Sequence, residues 1–177
     1  GGSGIADVGE RLIRSNGGIM VIGEYMKKAS EPIIKKLILA SWLYSVLPNT
    51  PDSRGGVAVL SRMPIEKLRT PAAMTEEYRY ISVAAPLAGL ELRAVYAPLQ
   101  NDPFQEFWEG LLGDLNAAST KPVLLIGDLN SGLPKVDTNS STLFCSEYFC
   151  QLPSSGYTDL LRPLNDSQAE WCTWMGR

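Results

Sequence analysis

Three short runs of uninterrupted apolar residues constrain the fold most: Ile19-Met20-Val21-Ile22, Val57-Ala58-Val59-Leu60 and Val123-Leu124-Leu125-Ile126. Gly or Pro flanks each run, and each is too short for a helix, so each reads as a buried strand. Between them lie stretches with apolar residues at helical spacing. Ile5, Val8, Leu12 and Ile13 form one, ending near Asn16-Gly17-Gly18. Ser30 can cap a second, with Pro32 in its first turn and Ile33, Ile34, Leu37 and Ile38 inside. The clearest helix opens at Asp102-Pro103, with Asp102 as N-cap, Pro103 at the first position and Gln105 completing a capping box. Phe104, Phe107, Trp108, Leu111, Leu112 and Leu115 form its apolar stripe.

Residues 42–47, 78–84 and 91–96 read as further strands, the last two as an antiparallel hairpin turning through Pro86 and Gly89. Residues 48–56 and 131–141 read as polar loops, residues 142–152 and 159–164 as helices, and residues 171–174 as the start of a strand. Hairpins interleaved with crossover helices predict a mixed-sheet α/β protein. At 177 residues, 1–177 reads as a single domain, with Gly1-Gly2-Ser3-Gly4 as a loop or linker.

Composition narrows the chemistry. The chain is 45% hydrophobic and 20% charged, as expected of a globular protein with a real core. A net charge of −3 without a basic block leaves no polybasic nucleic-acid tail, although a local basic groove remains open. No apolar run reaches the length of a membrane span. Cys145, Cys150 and Cys172 are odd in number and unclustered, which favours a reducing compartment and a cytoplasmic location. Histidine is absent, so His triads, His zinc sites and imidazole acid–base catalysis are excluded within this chain.

The tetrapeptide Gly-Asp-Leu-Asn occurs twice, and context separates the copies. Gly113-Asp114-Leu115-Asn116 sits in the helical stripe, where Leu115 is core and Asp114 faces water. Gly127-Asp128-Leu129-Asn130 ends an apolar strand, and the ends of such strands are where α/β proteins keep active sites. Two other strand ends carry polar groups, Glu24 and Tyr96. Glu24 is a hard oxygen ligand suited to Mg²⁺ or Mn²⁺. Asp128 near a metal can orient or deprotonate water. Asn130 and Tyr96 can donate hydrogen bonds to a phosphate without repelling its charge. Taken singly, Glu24 also suits a solvated strand exit and Tyr96 a core aromatic. Asp159 of Tyr157-Thr158-Asp159 also suits a helix cap. Arg54, Arg62 and Arg162 suit solvated cations, and Trp171 and Trp174 suit packing.

The ordered set of Glu24, Gly55-Gly56-Val57-Ala58-Val59-Leu60-Ser61-Arg62-Met63-Pro64-Ile65, Val95-Tyr96-Ala97-Pro98, Ile126-Gly127-Asp128-Leu129-Asn130, Gly156-Tyr157-Thr158-Asp159 and Thr173-Trp174 resembles the endonuclease/exonuclease/phosphatase superfamily. It is similar to the exonuclease III-like and DNase I-like enzymes. The resemblance implies a four-layer α/β sandwich, two packed mixed sheets flanked by helices, and divalent-metal hydrolysis of a phosphoester. It implies Glu24 as the metal-binding Glu and Asp128 as the acid that positions water. Asn130 would be the amide that holds phosphate, and Tyr96 the phosphate-contacting Tyr. Position 99 is Leu, where substrate-contacting members place a polar residue, with Gln100 and Asn101 as substitutes. The family's opening strand ending in Asn and its closing Asp-His strand have no counterpart between Gly1 and Arg177. The expectation is therefore a fragment lacking the first and last core strands, poorly active alone and prone to self-association through exposed strand edges. The expected function is a Mg²⁺- or Mn²⁺-dependent phosphodiesterase or nuclease acting on nucleic acid or another phosphoester. The alternatives are a non-catalytic binding module of the same fold and a phosphatase for a lipid or small-molecule phosphate.

Overall fold

The strand runs pair into two sheets whose facing sides are both apolar. The computed structural model describes residues 11–14, 16–51, 54–74, 76–99, 104–117, 119–133 and 146–160. Seven strands are present among them: β1 (Ile19–Tyr25), β2 (Tyr44–Val46), β3 (Gly56–Ser61), β4 (Glu66–Lys67), β5 (Tyr80–Ala85), β6 (Leu90–Tyr96) and β7 (Val123–Asp128). The helices are α1 (Lys27–Leu39), α2 (Phe104–Leu115), α3 (Ser146–Phe149) and α4 (Gln151–Ser154), with one further helical turn at residues 11–14. One sheet has the order β1-β3-β2 with antiparallel pairs, and the other β4-β5-β6-β7, mixed because β6 and β7 run parallel. The architecture is α/β with two sheets and helices, as the sequence predicts. Contacts divide the chain into two compact units, residues 1–96 with 119–128 and residues 97–118 with 129–177.

In the first unit the period-2 alternation of strand side chains assigns each residue to a layer. Val57 and Val59 of β3 join Ile81 and Val83 of β5 and Leu92 and Ala94 of β6 in one buried cluster, with Ile19, Val21 and Leu124 packed against it. That cluster is the core between the sheets. Ala58 and Leu60 face the other way, meeting Met20, Tyr25, Trp42 and the α1 residues Ile34 and Leu37. β3 is thus buried on both faces, which is why its sequence shows no polar alternation.

Several expectations need correction. The second helix starts at Lys27 rather than at a Ser30 cap, with Met26 as its N-cap. Ser30 lies one turn inside, and its Oγ accepts the Met26 N–H at 3.2 Å, so the hydroxyl serves the helix start from within. Pro32 consequently stands in the helix interior, where it removes one backbone donor. Residues 77–79 form a 3₁₀ turn, and the strand begins only at Tyr80. The two-residue β4 was not foreseen. β7 reads as buried in the sequence but lies at the edge of its sheet among the described residues, leaving Ile126 41% exposed. β1 holds the corresponding place in the three-stranded sheet. Within the helix expected over 142–152, the described residues hold two short helices from Ser146 onward, and residues 142–145 lie outside the described residues. The Asp102-Pro103 cap, most of the 159–164 helix and residues 171–174 lie outside the described residues, as does the helix start at Ile5 and Val8.

In the second unit, Phe107, Trp108, Leu111, Leu112 and Leu115 of α2 are buried as the stripe predicts. The first Gly-Asp-Leu-Asn copy ends that helix, with Leu115 buried and Asp114 half-buried rather than fully in water. Tyr148 of α3 stacks on Trp108 with ring centroids 6.4 Å apart.

Two neighbouring leucines on α1 test the layer assignment. Leu37 is fully buried and Leu39 is 88% exposed. In urea unfolding, Leu37→Ala should cost about 2–5 kcal/mol, and Leu39→Ala less than about 0.5 kcal/mol.

Candidate functional site

Glu24, Tyr96 and Asp128 meet at one end of the first unit because three strands finish there. Tyr96 is the last residue of β6 and Asp128 the last of β7, and the two are register partners in the parallel pair. Tyr96 follows Leu92 and Ala94 in the row that faces the other sheet, and Asp128 continues the row of Leu124 and Ile126. Both side chains therefore leave their strands on the inter-sheet side.

Glu24 arrives from the opposite sheet by a local irregularity. Ile22 pairs with Ala58 and Tyr25 with Gly56, so three steps along β1 match two along β3. The extra residue is a β-bulge, a device common beside active sites. Ile22 and Tyr25 both pack in the α1-side cluster, although regular alternation would put them on opposite faces. The bulge resets the alternation, and Glu24 takes a left-handed backbone with φ 53°. A glutamate there costs about 1–3 kcal/mol, the kind of strain held at functional sites. A Cβ on Gly23 would lie 3.8 Å from Tyr96 Cδ2 and 3.9 Å from the Asp128 Cβ, which places the β1 exit beside both residues. Gly55, just before β3, closes the ring: a Cβ there would come within 3.2 Å of the Glu24 Cα and of Tyr96 Cε1.

Gly127 explains the small residue ahead of the acid. Its φ is 142°, and a Cβ would stand 1.9 Å from the Val95 carbonyl oxygen of β6. Only glycine permits β7 to lie this close. Asn130 belongs to the second unit, where its Nδ2 donates to the Ala97 carbonyl at 2.7 Å. Its φ of 45° is left-handed, a conformation that asparagine tolerates better than most residues. Thus Glu24, Tyr96 and Asp128 are brought together in one unit, and Asn130 follows Asp128 by two residues in the other.

Burial pushes the Tyr96 phenol above the ordinary tyrosine range, the Glu24 and Asp128 carboxylates push it further, and Arg79 pulls it back. The neutral phenol, a hydrogen-bond donor, is the form favoured near neutrality. Arg79 was not singled out in the sequence. It is buried, pairs with Glu76 Oε2 at 2.7 Å, and lies over the Tyr96 ring at 5.1 Å. Its only signal was the Glu76-Glu77-Tyr78-Arg79 spacing, which a strand reading of the segment concealed.

The remaining candidates find other roles. Arg54 is held by Glu76 at 2.6 Å. Arg62 lies over the Trp42 ring at 4.8 Å, and its Nη2 donates to the Ile13 carbonyl. Tyr157 donates its hydroxyl to the Leu115 carbonyl at 3.3 Å within the second unit. Asp159 is exposed, and Leu99 is 61% exposed. Arg162, Trp171, Trp174, Gln100 and Asn101 lie outside the described residues. Among the described residues no group of three or more His, Cys, Asp or Glu forms a ready metal cage. No helix among them is long and apolar enough to cross a membrane.

The glycine geometry predicts that Gly127→Ala weakens the β6–β7 pairing and lowers stability by about 2 kcal/mol or more in denaturant titration. For Tyr96 the sign follows from a folded pKa above the unfolded one. The contribution is complete below the unfolded tyrosine pKa and declines as pH rises from there through the folded value. Tyr96→Phe should therefore flatten the alkaline fall in stability, leaving the part due to Tyr25, whose phenol is also raised by burial. Thermal melts across this alkaline range measure both.

Comparison with known proteins places this geometry. Among solved structures, the chain is similar to the 3'-5' exonuclease NExo from Neisseria meningitidis, at 18% identity and TM-score 0.68, covering 90% of this chain and 69% of that one. It is similar to an AP endonuclease from Archaeoglobus fulgidus, at 16% identity and TM-score 0.73, covering 93% and 70%. It is also similar to D. rerio TDP2 complexed with single-strand DNA product, at 14% identity and TM-score 0.59, covering 93% and 64%. No curated protein matches the chain. Identities this low speak for the fold. A family model, in contrast, matches residues 11–157, most of the sequence. With that match spanning both sheets and all three converging strand ends, the chain belongs to the endonuclease/exonuclease/phosphatase family.

Proposed function

We propose that this chain is a phosphodiesterase of the nuclease type, hydrolysing a phosphoester by water attack with a divalent cation. The observation that carries the reading is the convergence of Glu24, Tyr96 and Asp128, with Glu24 delivered by a bulge and a left-handed backbone. Glu24 and Asp128 fit Mg²⁺ or Mn²⁺, because Mg²⁺ keeps several waters and needs only one or two protein carboxylates. Such a cation, when bound, supplies Lewis-acid neutralisation of charge on the phosphoryl oxygens.

The protein groups divide the remaining work. Within the given sequence, which has no histidine, a carboxylate is the group available to take the attacking water's proton. Asp128 accepts a hydrogen bond from that water and aligns it for in-line attack. The neutral Tyr96 phenol donates to a phosphoryl oxygen as negative charge develops there. The family resemblance assigns Asn130 the amide role, and its side chain is oriented by the bond to Ala97. Nucleic acid is the favoured substrate, since the chain is similar in fold to an AP endonuclease, to NExo bound to product DNA hairpin and to TDP2 complexed with single-strand DNA product. The competing reading, a binding module of this fold, draws on the absence of histidine.

The test is hydrolysis of a DNA oligonucleotide by the purified chain, with Mg²⁺ and with chelator, beside Glu24→Gln and Asp128→Asn. Slow metal-dependent cleavage should fall about 10²–10³-fold in either variant. Cleavage indifferent to chelator or to both substitutions overturns the reading. DNA binding without any metal-dependent turnover favours the binding module.

A further inference from the structure

We propose that Arg79 is a positioning residue: its buried guanidinium, paired with Glu76 and in contact with the rings of Tyr78 and Tyr96, sets the orientation of the Tyr96 phenol. This inference rests on the proposed role of Tyr96. Arg79 Cζ is 5.1 Å from the Tyr96 ring centroid and 5.6 Å from that of Tyr78. Its side chain is 6% exposed, so these cation–π contacts act with little water between them. Glu76 Oε2 stands 2.7 Å from Arg79 Nε, a close ion pair aligned too poorly to be a hydrogen bond.

Glu76 is itself anchored. Its Oε1 accepts from Arg54 Nη1 at 2.6 Å and from the Tyr78 hydroxyl. One carboxylate thus joins two guanidinium groups and a phenol in a small network. Backbone register brings this network to the site. Tyr80, the residue after Arg79, pairs with Val95, the residue before Tyr96. The 3₁₀ turn at Glu77–Arg79 therefore delivers Arg79 against the end of β6. Gly55, beside Arg54, lies against the Tyr96 ring from another side. The ring is held by packing at Gly55 and by the Arg79 guanidinium, which also reaches the phenol oxygen, so both the ring and its hydroxyl take their orientation from these neighbours.

A buried guanidinium is expensive unless fully engaged, so removing it affects stability as well as aim. The test therefore reads the ring directly. Tyrosine ¹³C-labelled protein is compared by NMR with Arg79→Lys, Arg79→Met and Glu76→Gln, the Tyr96 ring signals being assigned by their loss in Tyr96→Phe. The Tyr96 ring signals should move in Arg79→Met and in Glu76→Gln, and return toward their original position in Arg79→Lys, which keeps the charge. Where turnover is measurable, kcat should fall by on the order of 10²-fold in Arg79→Met with KM nearly unchanged, the cost of a misaimed group. Tyr96 signals unmoved in folded Arg79→Met and Glu76→Gln overturn the inference. The ring signals are read without substrate or metal, so this result stands apart from the success or failure of the hydrolase reading.

Discussion

The candidate site depends on apolar contact between the two sheets. Val57 and Val59 from one sheet meet Ile81, Val83, Leu92 and Ala94 from the other, and every one of them is almost completely buried. Glu24 belongs to the first sheet, Tyr96 and Asp128 to the second. Their proximity exists only while this core holds the sheets face to face. Hydrophobic contact is non-directional, so it fixes the separation of the sheets but not the aim of any polar group. Aim comes from finer features at the strand ends.

Those features are backbone devices. The bulge in β1 turns Glu24 away from the α1 face, where its neighbours Ile22 and Tyr25 pack. Gly127 lets β7 approach Val95 more closely than any side chain permits, which brings Asp128 level with Tyr96. Glu24 and Asn130 both hold left-handed backbones that neither residue type prefers. Such conformations fall on two of the four residues assigned to the chemistry. The Arg79–Glu76 pair adds a charged support beneath Tyr96, drawn from a turn that contributes little to the sheet itself.

Legibility in the sequence followed the strength of local signals. Asp128 was readable because an apolar strand, a glycine, an acid and an amide come in that order. The α2 stripe was readable because six apolar residues share one helical face. The start of α1 was misread because Ser30 carries the same hydroxyl whether it caps from outside or reaches back from within. Arg79 was missed because residues around it alternate plausibly as a strand, whereas the chain makes a 3₁₀ turn there. The apolar run of β7 suggested a strand covered on both sides, but apolar composition does not report position within a sheet.

By itself the sequence determined most of the strands and helices, which strand ends carry polar groups, and which family pattern they follow in order. These are consequences of periodicity and of chemistry within a few residues. Only the tertiary structure decided that three of those ends share one place. It also decided that Glu24 reaches there through a bulge and that a buried arginine lies under Tyr96. A bulge depends on the register of a partner strand more than thirty residues away, Tyr25 against Gly56. A cation–π contact depends on two strands lying side by side. Neither leaves a local pattern, because the energy that selects it arises only when distant segments meet.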